Sequence, residues 1–335
     1  MRRILLLASL VVLVWAAFGV PLPAFIVAPT AATPTYRPDA NGASPPSAIT
    51  VEGAVDEIDG QLLLTTVSVA QTTTLEAIEA AFDPYRSLER RERLIPVGLD
   101  EQEFFRAQRD LFEESVKVAA AVGLRLAGIQ VTIEGDGAQV EGVVPAGPAE
   151  GRLQPGDVIV SVGEEPIDLA SELAARTAEA ELGARLQLQV QRNGQTQPVE
   201  VEVGPIPGVT QQGIGILVST LDQRISFPQG VVVEDRTDIG GSSAGLMLAL
   251  TVYELFGPSD LTRGRVIAGT GTVTLDGRVG PIGGVVEKVV GAHLTGAGIF
   301  LAPAEQLKEA RAAAPEGLTV IGVATVDEAV AALER

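Results

Sequence analysis

Gly240-Gly241-Ser242-Ser243-Ala244-Gly245, followed by Leu246-Met247-Leu248-Ala249-Leu250-Thr251-Val252-Tyr253-Glu254-Leu255-Phe256 and stopped by Gly257-Pro258, is the stretch from which the fold reads outward. Glycines permit positive φ and close approach of backbone to a bound molecule. The run from Leu246 to Phe256 is apolar nearly all round, interrupted by Thr251 and Glu254, as expected of a buried helix. A serine in the first turn of that helix lies at the positive end of the macrodipole, beside N–H groups that lack intrahelical partners. Such a position suits a nucleophile whose tetrahedral intermediate carries an oxyanion. It equally suits a helix cap, and either Ser242 or Ser243 could fill the role.

A serine hydroxyl needs a base to take its proton. The chain has one histidine and no cysteine, which excludes a multi-histidine metal site and thiolate chemistry and leaves His293 as the sole histidine for a triad. Lys288 offers another route, in Pro281-Ile282-Gly283-Gly284-Val285-Val286-Glu287-Lys288-Val289-Val290. Val285, Val286, Val289, Val290 and His293 fall on one helical stripe, with Lys288 at its edge. To act as a base near neutral pH, a lysine must fall by about three units from its usual value, which is about 4 kcal/mol of differential desolvation. The competing readings are a lysine that snorkels from the edge of the stripe and a histidine that serves only as a core or edge residue.

Gly241–Gly245 together with Thr270–Lys288 (Thr-Gly-x-Val-x-Leu-x-Gly-x-Val-x-Pro-Ile-Gly-Gly-x-x-x-Lys) resembles the proteolytic domain of Lon-type proteases. The resemblance runs from about Ile206 to the C-terminus. It implies Ser243 as nucleophile, Lys288 as base and Thr270 as the residue orienting the amine, with backbone around Gly241, Ser242 and Ala244 holding the oxyanion. Two positions depart from the family pattern: Ser242 stands where a proline is usual, and Gly240 where Lon itself carries an aspartate. No Gly-x-x-x-x-Gly-Lys-Ser/Thr occurs in the sequence, so it carries no sign of an ATPase.

At the other end, Met1-Arg2-Arg3 precedes an uncharged span from Ile4 to Val27. Crossing a bilayer core takes about 20 residues, and the two arginines orient the N-terminus inside. This predicts a membrane anchor over 1–28, with the cytoplasmic membrane as location and the remaining domains extracytoplasmic; a cleaved signal peptide is the rival. Pro29 to Ala48, rich in Pro, Ala, Ser and Thr, is expected to form an extended tether. Residues 49–123 then form an N-terminal α/β segment with a strand over Gln61–Val69 and helices over Thr74–Phe82 and Asp100–Val122. The Leu-Leu-Leu-Thr-Thr-Val-Ser-Val stretch resembles a segment of bacterial membrane-anchored proteins of the YlbL type, which join an anchor to a PDZ module and a Lon-like domain.

Over 124–205 the order of signals resembles a PDZ domain: a strand over Gln139–Val144, a small-residue loop, Gly151-Arg152-Leu153-Gln154-Pro155-Gly156-Asp157-Val158-Ile159, a helix over Asp168–Leu182 and a hairpin turning at Asn193-Gly194. The resemblance implies capture of an extended peptide beside a sheet edge. Gly128-Ile129 is a possible start for the groove strand. Residues 206–335 are expected to hold the Lon-type α+β domain, with strands over Gly215–Ser219 and Gly230–Glu234 leading towards Asp238 and the serine loop.

A formal net charge of −19 lacks the basic footprint of a nucleic-acid binder. The expected fold class is therefore α+β: an N-terminal transmembrane helix, a PDZ-like β module and a C-terminal Lon-like domain. The expected activity is ATP-independent serine endopeptidase, with peptide or protein substrates, the lipid bilayer as partner through the N-terminal helix, no nucleic acid, no cofactor, no metal and an oligomer possible. The alternative is a catalytically inactive membrane scaffold that recruits partners through the PDZ module.

Overall fold

The computed structural model describes residues 21–36, 48–54, 58–95, 100–207, 212–235 and 239–335. In chain order its strands and helices are β1 (Pro21–Pro29), β2 (Thr33–Pro34), β3 (Ile49–Glu52), β4 (Gln61–Leu64), β5 (Val67–Thr73), α1 (Thr74–Ala80), β6 (Ser87–Arg90), α2 (Arg91–Leu94), α3 (Glu101–Leu126), β7 (Thr132–Glu134), β8 (Ala138–Val143), β9 (Val158–Val162), β10 (Glu165–Pro166), α4 (Ala170–Glu179), β11 (Arg185–Arg192), β12 (Gln195–Glu202), β13 (Gly204–Pro205), β14 (Gln212–Gly213), β15 (Ile216–Thr220) and β16 (Arg224–Ser226). The remainder comprises β17 (Val232–Asp235), α5 (Gly245–Phe256), β18 (Val266–Gly269), β19 (Thr272–Val273), β20 (Val279–Gly280), α6 (Val285–Leu294), β21 (Ile299–Pro303), α7 (Leu307–Ala313), β22 (Thr319–Val323) and α8 (Val326–Leu333). The architecture is mixed α+β, in two compact units.

The first unit combines Met1–Gln130 with Phe227–Arg335. Its main sheet runs β2-β4-β18-β21-β22, with β4, β18, β21 and β22 parallel and β2 antiparallel at the edge. Leu62, Leu63 and Leu64 are all buried, the continuous apolar pattern of a strand covered on both faces. On one face Leu63, Ala268 and Phe300 pack with Val285, Val289 and Ala292 of α6. On the other face α5 packs so close that a Cβ on Gly269 would stand 2.6 Å from Met247 Sδ. Helix α3 starts at Asp100, whose side chain accepts from Glu103 N–H at 2.8 Å in a capping box, and it packs along α5.

These compact units divide the chain differently from the domains expected at 49–123 and 206–335. The N-terminal segment supplies β4 to the middle of the sheet, so it belongs to the unit that carries the serine and lysine motifs. A short apolar run does not announce its partner strand, and nothing local in Gln61–Leu64 points 200 residues ahead to Val266–Gly269. The single strand expected over Gln61–Val69 is divided at Thr65-Thr66, where Thr65 Oγ1 donates to Gly269 O at 3.1 Å and Thr66 O accepts from Thr30 Oγ1 at 2.9 Å. The second half, β5, lies in another sheet of order β5-β1-β6.

The transmembrane helix expected up to Val27 is also corrected. Pro21–Pro29 is β1, the central strand of that three-stranded sheet, with Phe25 and Val27 buried. Its sequence is apolar on both strand faces, so hydropathy alone merges it with the uncharged residues before it. The rest of the expected anchor, residues 1–20, lies outside the described residues, and among the described residues no helix is long and apolar enough to cross a membrane. The expected tether is corrected in its described part. Thr33–Pro34 pairs with β4, Thr35 N–H donates to Leu62 O at 2.9 Å, and Ala32, Thr35 and Ala48 are buried.

The second unit, Val131–Ser226, is an antiparallel sheet of order β12-β11-β9-β8-β15 with β10 on β9 and α4 packed beside β15 and β8. Asn193 (φ 52°) and Gly194 (φ 76°) make the expected turn between β11 and β12. Asp157 is fully buried; it accepts from Gln154 N–H at 2.9 Å and from Arg192 Nε at 2.6 Å, which fixes the Pro-Gly-Asp turn. Residues 216–220 were expected in the proteolytic domain, yet β15 pairs with β8 and ends this unit's sheet. Gly128-Ile129 does not open the strand beside β8; the nearby β7 begins at Thr132 and pairs with β16.

Candidate functional site

The serine loop approaches α5 through Gly241, which has φ 84° and donates its N–H to Gln108 O at 2.7 Å. Ser242–Ala244 form one 3-10 turn, and α5 follows with all twelve residues buried. The helix is therefore a rigid mount for a half-exposed Ser243. Helix α3 explains one departure from the family pattern. A Cβ on Gly240 would stand 2.9 Å from Gln108 Cβ, so an aspartate there would collide with α3.

Thr270-Gly271 separates β18 from β19, and this break faces the serine turn. Ser243 O accepts from Gly271 N–H at 2.8 Å and from Thr270 Oγ1 at 3.0 Å. Leu246 N–H returns a bond to Gly271 O at 3.0 Å. Thr270 is fully buried, and its one proton is committed to Ser243 O.

Lys288 comes from α6, whose N-cap Gly284 holds a left-handed conformation (φ 68°) that β-branched side chains avoid. The loop before it is clamped by Gln306, whose Oε1 accepts from Ile282 N–H and whose Nε2 donates to Ile282 O, both at 2.8 Å. Lys288 is 3% exposed, with Nζ 2.7 Å from Ser243 Oγ and 3.2 Å from Thr270 Oγ1. Burial pushes its pKa down to about 8, against the opposing effect of the Glu287 carboxylate. A neutral amine has two N–H donors and one lone pair. With one N–H directed to Thr270 Oγ1, the lone pair is free to accept the Ser243 hydroxyl proton.

The structure thus brings Ser243, Thr270 and Lys288 together. Ser242 lines the same cleft one residue earlier, Ala244 is buried, and the Gly241 N–H already has Gln108 O as acceptor. His293 is exposed on α6 and does not line the cleft, in keeping with an edge histidine and not with a catalytic one. Asp238 is outside the described residues. The cleft has a volume of about 990 Å³ and is walled by Val67, Val69, Ser87, Phe104, Phe105 and Glu287, among others. Among the described residues no group of histidines and carboxylates is placed to hold a metal ion. Sequence reasoning missed Gln108, Gln306 and Glu287. The glutamines act through backbone groups distant in sequence, which leaves no local signal.

Residues 126–203 match the PDZ domain family, and residues 214–334 match the Lon protease (S16) C-terminal proteolytic domain. Lon protease 1 of Bacillus subtilis is 36% identical over 110 residues, covering 32% of this chain and 13% of that protein. Lon protease of Lachnoclostridium phytofermentans is 38% identical over 113 residues, again 32% of this chain and 13% of that protein. The chain therefore spans about an eighth of the length of these curated relatives. Among solved structures, the PDZ domain of an SdrC-like protein from Listeria monocytogenes is similar at 20% identity and TM-score 0.24, covering 25% of this chain and 87% of that one. The second match begins at residue 214, within the segment that leads into β15 of the second unit, and most of the N-terminal part of the first unit lies outside both matches.

Proposed function

We propose that this chain, which joins a PDZ domain to a Lon-type serine peptidase domain, is a membrane-anchored endopeptidase that needs no nucleotide. The observation that carries the catalytic part is the 2.7 Å approach of a buried Lys288 amine, with its pKa pushed down to about 8, to Ser243 Oγ. Neutral Lys288 accepts the Ser243 proton as Oγ attacks the scissile carbonyl, and it returns that proton to the leaving amine. The acyl-enzyme is then hydrolysed by a water activated in the same way. Backbone N–H groups of the Ser242–Ala244 turn face the oxyanion, aided by the positive end of α5.

Thr270 has a positioning role, because it touches both the amine and the serine's own carbonyl. Thr270→Val is expected to lower kcat by roughly tenfold to a hundredfold with little change in KM, the signature of lost alignment rather than lost binding. Steady-state kinetics on one peptide would show this, and an equal loss in KM would contradict it.

Independence from ATP is supported by the absence of a phosphate-loop motif in these 335 residues. Substrates would then be extended or loosely folded segments. Anchoring is supported by Met1-Arg2-Arg3 ahead of the uncharged residues Ile4–Val20, which at about 17 residues are near the lower limit for a span. The domains would then lie outside the cytoplasm. Peptide recognition by the PDZ domain would use β15, a terminal strand of its sheet packed beside α4, with Gly213-Ile214-Gly215 leading into it.

The test is hydrolysis of an unstructured protein such as casein by the purified chain without nucleotide. Fragments released under these conditions would support the reading. Peptide capture with no turnover at any pH would favour the scaffold instead.

A further inference from the structure

Helix α6 carries a second buried ionisable group next to the amine. Glu287 is 7% exposed and lines the same cleft as Ser243 and Lys288. Its Oε1 accepts from Ser87 Oγ at 2.9 Å, and its Oε2 lies 3.5 Å from where a Cβ on Gly284 would stand. As the third residue of α6 it gains from the positive helix end, yet one hydroxyl and a partial helix charge do not replace the counter-ion that a buried carboxylate requires.

Among the described residues, the other charged groups lining the cleft are Glu89, Arg93 and Lys288. Arg93 is 3.6 Å from Glu89 and 77% exposed, so that pair is closed on itself near solvent. Lys288 has to be neutral to act as a base. Among the described residues, the cleft in the competent state therefore holds one carboxylate without a matching cation. Val67, whose Cγ1 would be 3.0 Å from a Cβ on Gly284, and Val27 supply apolar wall along which a long aliphatic stem can lie.

Building on the peptidase reading, we propose that Glu287 is a specificity-determining residue that receives the lysine or arginine side chain of the peptide being cleaved. The bound cation also offsets the field with which Glu287 favours protonated Lys288. A basic substrate thereby helps to free the amine that attacks on its behalf, and its kcat profile is displaced to lower pH than that of a neutral substrate.

The test is a fluorogenic peptide library varied at each position around the scissile bond, run at pH 9 with wild type and Glu287→Gln. The wild type is expected to prefer lysine or arginine over alanine at one position by roughly tenfold or more in kcat/KM, and the variant to lose most of that ratio. If Glu287 only braces Ser87 and the helix start, both peptide classes slow together and the ratio stays put, which overturns the proposal. Binding separates it from the peptidase reading. With Ser243→Ala protein, fluorescence anisotropy should show a lysine peptide bound more tightly than its acetyl-lysine counterpart, a difference erased by adding Glu287→Gln. Discrimination in binding with no cleavage by wild type would leave the subsite standing and sink the peptidase; cleavage with no discrimination would do the reverse.

Discussion

Replacing Ser243 with alanine is expected to reduce peptide hydrolysis by at least about four orders of magnitude, whereas Ser242→Ala stays within roughly tenfold of wild type. The two serines are neighbours on one 3-10 turn and differ in what they meet. Ser243 Oγ has Lys288 Nζ at 2.7 Å, and its carbonyl is held by Gly271 and Thr270. The alanine variant keeps those carbonyl bonds and the buried helix behind them. Its fold should be unchanged by circular dichroism while activity vanishes. A reversed outcome, with Ser242 the essential residue, would require the lysine to serve a different hydroxyl.

Lys288→Met is expected to be both inactive and more stable. An amine whose pKa is held near 8 in the folded protein, against 10.5 for an ordinary lysine, binds fewer protons folded than unfolded between those two values. Stability must then rise with pH across that window, and below about pH 8 the protein carries the full cost of burying a charge. That cost is on the order of 3 kcal/mol, and methionine of similar volume removes it. Thermal melts at pH 7 should show the variant several degrees above wild type, with the gap closing as pH rises towards 10. In the wild type the same titration controls the rate: hydrolysis climbs as pH passes about 8, because the neutral amine is the base. A variant that melts lower at pH 7 would mean that the lysine enters the fold as a favourable charge.

The chemistry was more legible in sequence than the architecture that holds it. Two motifs in order, Gly241–Gly245 and Thr270–Lys288, bring residue types that the structure places within hydrogen-bonding distance of one another. The buried helix after the serine was readable because its apolar residues leave no polar stripe, and the Asn193-Gly194 turn because few dipeptides tolerate two positive φ values. Long-range strand pairing was not readable. Leu62-Leu63-Leu64 looks like any buried strand, and only tertiary contact decides that it lies beside Val266–Gly269. Pro21–Pro29 misled for a related reason: hydropathy counts apolar residues without knowing whether lipid or a sheet covers them. Likewise, Ile216–Thr220 carries no mark of the unit whose edge it completes.

The reading of Glu287 has the same character. Its position beside Lys288 is visible in the sequence, but its burial, its bond from the Ser87 hydroxyl and the closed Glu89–Arg93 pair appear only in three dimensions. Residue types announce which reactions are possible. Desolvation and charge balance decide which of them this cleft can favour.

The most direct measurement is the titration of the Lys288 amine itself, followed by NMR in protein labelled at lysine Cε and assigned by the loss of one signal in Lys288→Met. The expected midpoint lies near 8, against 10.5 for an ordinary lysine. A midpoint near 10.5, with hydrolysis nevertheless intact at neutral pH, would contradict it.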